Sequence, residues 1–122
     1  MIEKIYTVTD LGPGDGGKGS VIQSLCSRLH PTIVIKEGGA QGSHSIIMDN
    51  ESFRFSQWGC GTFNAVPTYL SERMVIAPSM MLREADGLKH IGIYDAFKTI
   101  SASPNCLCRT PYHMYISQIR EM

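Results

Sequence analysis

The sequence predicts an α/β fold: a strand–glycine loop–helix–strand core, a mostly parallel sheet and a small antiparallel hairpin. Three observations predict it. A β-branched and aromatic run at residues 4–9 leads directly into five glycines within residues 12–19. A helix-periodic stretch follows, with apolar side chains at Val21, Ile22, Leu25, Cys26 and Leu29. A second apolar run at residues 32–36 then stops at Gly38 and Gly39.

Residues 4–9 (KIYTVT) have strand character, and residues 20–29 form the helix, which His30 and Pro31 end. Residues 32–36 (TIVIK) read as a buried strand. The order strand, loop, helix, strand over residues 4–36 predicts a parallel pair joined by a right-handed crossover. Residues 45–48 and 52–55 are short strands, with Asp49, Asn50 and Glu51 as their hairpin turn. Residues 56–67, rich in Gly, Gln, Asn and Trp, read as a functional or connecting loop. Residues 73–77 (RMVIA) form another strand. Pro78 suits a helix first turn, and a helix follows over residues 79–90 until Gly92. Residues 98–101 are a short strand, and residues 112–121 a terminal helix.

With 122 residues and 43% hydrophobic content, the chain has room for one domain with a core. Its 11 basic and 11 acidic residues balance, which argues against a dedicated nucleic-acid or membrane-surface binder. No apolar run approaches the roughly 20 residues of a membrane span. The first four residues lack a secretory pattern. Of Cys26, Cys60, Cys106 and Cys108 only the last two are close, and no second pair completes a zinc site. Reduced, structural cysteines in a cytoplasmic protein are expected.

The glycine run carries the chemistry. Glycines let a loop turn its amides inward, and with the start of a helix they form an anion site. Lys18 supplies a positive charge suited to a β- or γ-phosphate. The spacing Gly12-x-x-x-x-Gly17-Lys18 is P-loop-like, except that Gly19 stands where a Ser or Thr normally holds magnesium, with Ser20 one residue late. The plain alternative, a turn that merely connects strand to helix, leaves the lysine unexplained. A carboxylate inside such a loop repels phosphate, so Asp15 serves another purpose: it holds Mg²⁺ or acts as general base toward a substrate. A second cluster, Gly38-Gly39-Ala40-Gln41-Gly42-Ser43-His44-Ser45, follows the second strand and is expected at the carboxyl edge of the sheet beside the first loop. His44, among small polar residues, is a functional candidate.

The two clusters together resemble those of adenylosuccinate synthetase, whose loops read like G-D-E-G-K-G and G-G-H-N-A-G-H-T. Weaker likeness continues through Ala77-Pro78 and Tyr112-His113, Gln118 and Arg120-Glu121. The departures are Gly16 for an acidic residue, Ala40, Gln41, Gly42, Ser43 and Ser45 in the second loop, and Gln57 to Gly61 in place of a proline-containing segment.

The resemblance implies a ligase that joins aspartate to IMP with GTP and Mg²⁺ through a 6-phosphoryl intermediate. Asp15 then matches the general base at the purine N1 and a metal ligand, and His44 the general acid beside the GTP phosphates. Lys18 belongs to the same catalytic set. Gly14, Gly16, Gly17, Lys18, Gly19, Ser20, Ser43, His44 and Ser45 line the GTP site. Asp15, Gln41 and Gly42 face the purine nucleotide, and the Ser43 carbonyl completes the metal site. Residues 1–122 then form the N-terminal, incomplete portion of a GTP/IMP-binding domain that associates with itself or with the missing remainder. The alternative is a non-catalytic purine nucleotide-binding module.

Overall fold

The computed structural model describes residues 4–48 and 51–122. Helix α1 spans Lys18–Leu29 and is entered through Gly17, at φ 77°. Its end is His30, also left-handed at φ 44°, whose amide donates to the Cys26 carbonyl. Strand β1 (Val34–Gly38) follows, then β2 (His44–Met48) and β3 (Glu51–Phe55), which pair antiparallel with His44 opposite Phe55. The expected hairpin is therefore present; its predicted turn residues Asp49 and Asn50 lie outside the described residues. A 3₁₀ turn at Thr62–Asn64 precedes β4 (Thr68–Ile76), the longest strand, and α2 (Pro78–His90) begins on Pro78 as expected. A second 3₁₀ turn (Ala96–Thr99), β5 (Ile100–Ala102), β6 (Leu107–Cys108) and α3 (Pro111–Glu121) complete the chain.

The main sheet is parallel and centres on β4. Strand β1 lies on one side, Val34 opposite Thr68. Strand β5 pairs with residues 68–70 of β4, and β6 with Val75 and Ile76. The α/β class with a mostly parallel sheet and a small antiparallel hairpin is thus the observed one.

Three expectations need correction. Residues 4–9 form no strand, and Ile5 is 80% exposed. Strand propensity is a preference for a pleated, half-buried surface, and among the described residues no neighbour gives this segment a ladder. The parallel pair and crossover expected within residues 4–36 are consequently not formed; β1 pairs with β4 instead. Strand β1 is not buried on both faces either, since Ile35 is 62% exposed while Lys36 is 8% exposed. Strand β6, two residues long, was not anticipated, because so short a run has no periodicity to read.

The connecting loop expected at residues 56–67 is present, and its first part lies in the interior: residues 56–62 are all buried. Buried loops are rare because their backbone polar groups lack water, and here side chains replace the water. The Glu84 carboxylate accepts from the amides of Ser56 (2.9 Å), Gln57 (2.8 Å) and Trp58 (2.9 Å). The Lys36 ammonium donates to the carbonyls of Ser56 (2.6 Å) and Trp58 (2.9 Å). The Gly59 amide donates to Thr68 Oγ1 at 2.9 Å.

Trp58, expected to anchor rather than to stack on a ligand, is fully buried. Its indole N–H donates to the Ala96 carbonyl at 3.1 Å and reaches Thr99 Oγ1 at 3.3 Å. It joins Ile46, Phe55, Cys60, Leu88 and Ala96 in the core, with Phe63 packed edge to face against both Phe53 and Phe55.

Candidate functional site

The glycine loop takes a backbone course few sequences can follow. Gly14 (φ 114°), Asp15 (φ 54°) and Gly17 (φ 77°) are all left-handed. Only glycine adopts this region freely, and aspartate tolerates it better than most residues. The run delivers the chain to the start of α1, where the first amides have no intrahelical acceptor and the helix dipole is positive. An N-terminus without a side-chain cap at Gly17 leaves those donors for another acceptor.

A Cβ on Gly16 would meet only the Asp10 side chain, whose carboxylate can turn aside. Gly19, by contrast, is required by space. A Cβ on Gly19 would lie 2.8 Å from His44 Cβ, 3.3 Å from Cys60 Sγ and 3.4 Å from the Ser45 carbonyl oxygen. Gly19 therefore trades the magnesium-binding hydroxyl of the usual motif for close approach of α1 to β2. That approach brings the two glycine clusters together, as their order along the chain predicted.

Lys18 forms an ion pair with Asp10. Sequence reasoning did not single out Asp10; its signal was a carboxylate directly before the glycine run. An open cleft of about 470 Å³ lies there, lined among others by Thr9, Asp10, Gly16, Lys18 and Val21. Asp15 is exposed and belongs to neither ion pair found among the described residues. Ser20 and Ser45 are exposed, and Ser43 half-buried. Among the described residues no group of three or more His, Cys, Asp or Glu side chains converges as a metal site.

His44 is half-buried at the start of β2. Burial holds its pKa below the ordinary imidazole value, and the ammonium groups of Lys36 and Lys18 push it the same way. The ring is therefore neutral near pH 7 while no anion is bound. Gln41 and Gly42 are exposed. The Gln41 side chain meets Arg109: a guanidinium only donates, so the amide oxygen faces it, 3.1 Å from Nη1 and 3.3 Å from Nη2. Arg109 too was missed, because nothing in the sequence links residues so far apart.

The family profile described as adenylosuccinate synthetase matches residues 8–122. The chain belongs to the adenylosuccinate synthetase family. It is 31% identical over 118 residues to adenylosuccinate synthetase of Borrelia turicatae, covering 96% of this chain and 26% of that protein. It is 28% identical over 109 residues to the Psychrobacter cryohalolentis protein of the same name, covering 88% and 25%. The solved structure of fully ligated adenylosuccinate synthetase from Plasmodium falciparum superposes with a TM-score of 0.74 at 22% identity, over 88% of this chain and 24% of that one. This likeness establishes a shared fold. The chain spans about a quarter of the length of these relatives.

Proposed function

We propose that this chain carries the phosphate-handling part of a purine nucleotide ligase that joins aspartate to IMP at the expense of GTP. The observation that supports this most is the contact of Gly19 with His44, which sets an uncapped helix N-terminus beside an imidazole. Phosphoryl transfer asks for little more from a protein than placement and charge neutralisation.

In this reading Lys18 and the amides of Gly16, Gly17 and Gly19 hold the GTP phosphates, with Gly14, Ser20, Ser43 and Ser45 around them. Asp15 takes the proton from the purine N1, so that O6 attacks the γ-phosphorus and GDP leaves. The aspartate amine then displaces phosphate from C6. His44 donates toward the phosphate oxygens; their negative charge raises its pKa and favours the donor form. Gln41 and Gly42 face the purine nucleotide.

Mg²⁺ prefers hard oxygen ligands and keeps several waters. The exposed Asp15 carboxylate and the Ser43 carbonyl fit this as a partial set, with phosphate oxygens supplying the rest. When bound, the ion neutralises phosphate charge.

The same reading places the protein in the cytoplasm; among the described residues no helix is long and apolar enough to cross a membrane. It also includes association, with a second copy or with the further chain its relatives carry, over apolar side chains such as Ile35 and Ile119, 62% and 71% exposed. A binding module without turnover is the second reading. Phosphate release from GTP decides between them. Release that requires both IMP and aspartate, and that Asp15→Ala abolishes while GTP still binds, supports the ligase. Binding without release supports the module.

A further inference from the structure

Three parallel strands end at one edge. Strand β1 ends at Gly38, whose register partner on β4 is Met74, and β4 ends at Ile76, opposite the last residue of β6, Cys108. Chain leaving β1 delivers Gln41, and chain leaving β6 delivers Arg109, whose amide donates to the Ile76 carbonyl at 2.7 Å. This is the edge at which open α/β sheets bind ligands.

Arg109 is half-buried and its guanidinium meets the Gln41 amide oxygen, but a neutral amide does not cancel its charge. The ion pairs among the described residues are Lys18–Asp10 and Lys98–Asp95, so no carboxylate there neutralises Arg109. A cleft of about 300 Å³ opens beside it, lined by Val75, Leu107, Cys108, Arg109 and His113, with no acidic side chain. His113 is oriented by the start of α3: its Nδ1 accepts from the Thr110 amide at 3.1 Å and lies 2.7 Å from Thr110 Oγ1. In that tautomer Nε2 carries the hydrogen and is a second donor.

We propose that Arg109, held by Gln41 and joined by His113, forms an oxyanion subsite in this cleft. It takes the phosphate of a nucleoside monophosphate or a carboxylate of an amino-acid substrate. A guanidinium suits either, because its planar fork matches two oxygens at once. The assignment of these anions as substrate groups rests on the ligase reading above; the subsite itself rests on the geometry of Arg109.

NMR of the isotopically labelled full chain tests this, with the Arg109 Nε–H signal assigned by its loss in Arg109→Gln. The probes are inorganic phosphate, IMP, inosine and aspartate. A shift of that signal with phosphate and IMP but not inosine supports the subsite and names phosphate as its ligand. A shift with aspartate alone supports it with carboxylate as the ligand. Arg109→Gln is expected to weaken binding of the effective anion roughly tenfold or more, with partial recovery in Arg109→Lys. Silence of the Arg109 signal toward all three anions overturns the proposal. The amides of Gly16 and Gly17, followed with GTP in the same samples, report on the ligase reading independently.

Discussion

Lys36 and Glu84 grip opposite polar edges of one three-residue segment: the ammonium holds the carbonyls of Ser56 and Trp58, the carboxylate the amides of Ser56, Gln57 and Trp58. Both side chains are 8% exposed. Burial raises the Glu84 pKa, against the pull of the amides and of Lys36, and burial lowers that of Lys36. Each charge is tolerated because the other, and the backbone between them, takes the place of water.

Removing either buried charge strands the backbone groups it holds and leaves the opposite charge less compensated. Glu84→Ala and Lys36→Met are each expected to cost about 3–5 kcal/mol. Urea unfolding monitored by the single buried Trp58 measures it. A loss under about 1 kcal/mol in both variants would mean the clamp contributes no more than a surface pair.

Gly19→Ala separates two opposing effects. In an open helix the change gains about 1 kcal/mol. Here the new methyl meets His44 Cβ at 2.8 Å, an atom fixed to β2. Overpacking of this kind costs about 1–3 kcal/mol, so net destabilisation is expected, together with weaker GTP binding as α1 moves from β2. Thermal melts and equilibrium dialysis check the two effects; a more stable variant contradicts the close approach.

The depressed His44 pKa has a signed consequence. The unfolded chain, near the ordinary 6.5, binds the proton more readily than the folded one. The stability His44 contributes is therefore present above 6.5 and lost as pH falls through its folded value. His44→Gln is expected to flatten the decline in urea midpoint on acidification. In an NMR titration the free His44 ring should titrate below 6.5, moving upward when GTP binds. An unchanged value with GTP bound would place the phosphates away from this ring.

Thiol reactivity ranks the cysteines. Burial pushes the Cys60 pKa up to about 11, partly opposed by Lys36, and burial raises that of Cys26. Cys108 is exposed. Iodoacetamide in mild base should modify Cys108 first and reach Cys26 and Cys60 only after unfolding, because the thiolate is the nucleophile. Mass spectrometry of quenched samples reads the order. Early labelling of Cys60 would show that its burial is not maintained.

Asp10→Asn releases Lys18 from its ion pair. If the lysine serves bound phosphate, the carboxylate competes with ligand, and the variant should bind GTP more tightly at low salt. Weaker binding would show instead that Asp10 holds Lys18 in its working position.

The sequence alone determined what depends on local rules. Glycines bracketing residues 12–19, the apolar spacing in α1, Pro78 at the start of α2 and the paired runs around the hairpin each specify backbone within a few residues. The family to which the two glycine clusters point was legible in the same way. Only the tertiary structure decided that residues 56–62 lie in the core, since that depends on whether distant Lys36 and Glu84 can satisfy a buried backbone. It also decided that residues 4–9 remain without a ladder, that Gly19 is glycine because of His44, that Lys18 answers to Asp10, and that Gln41 meets Arg109. Local preference fixes dihedral angles; contacts between residues far apart in the chain exist only once the whole has packed, and no spacing along the sequence encodes them.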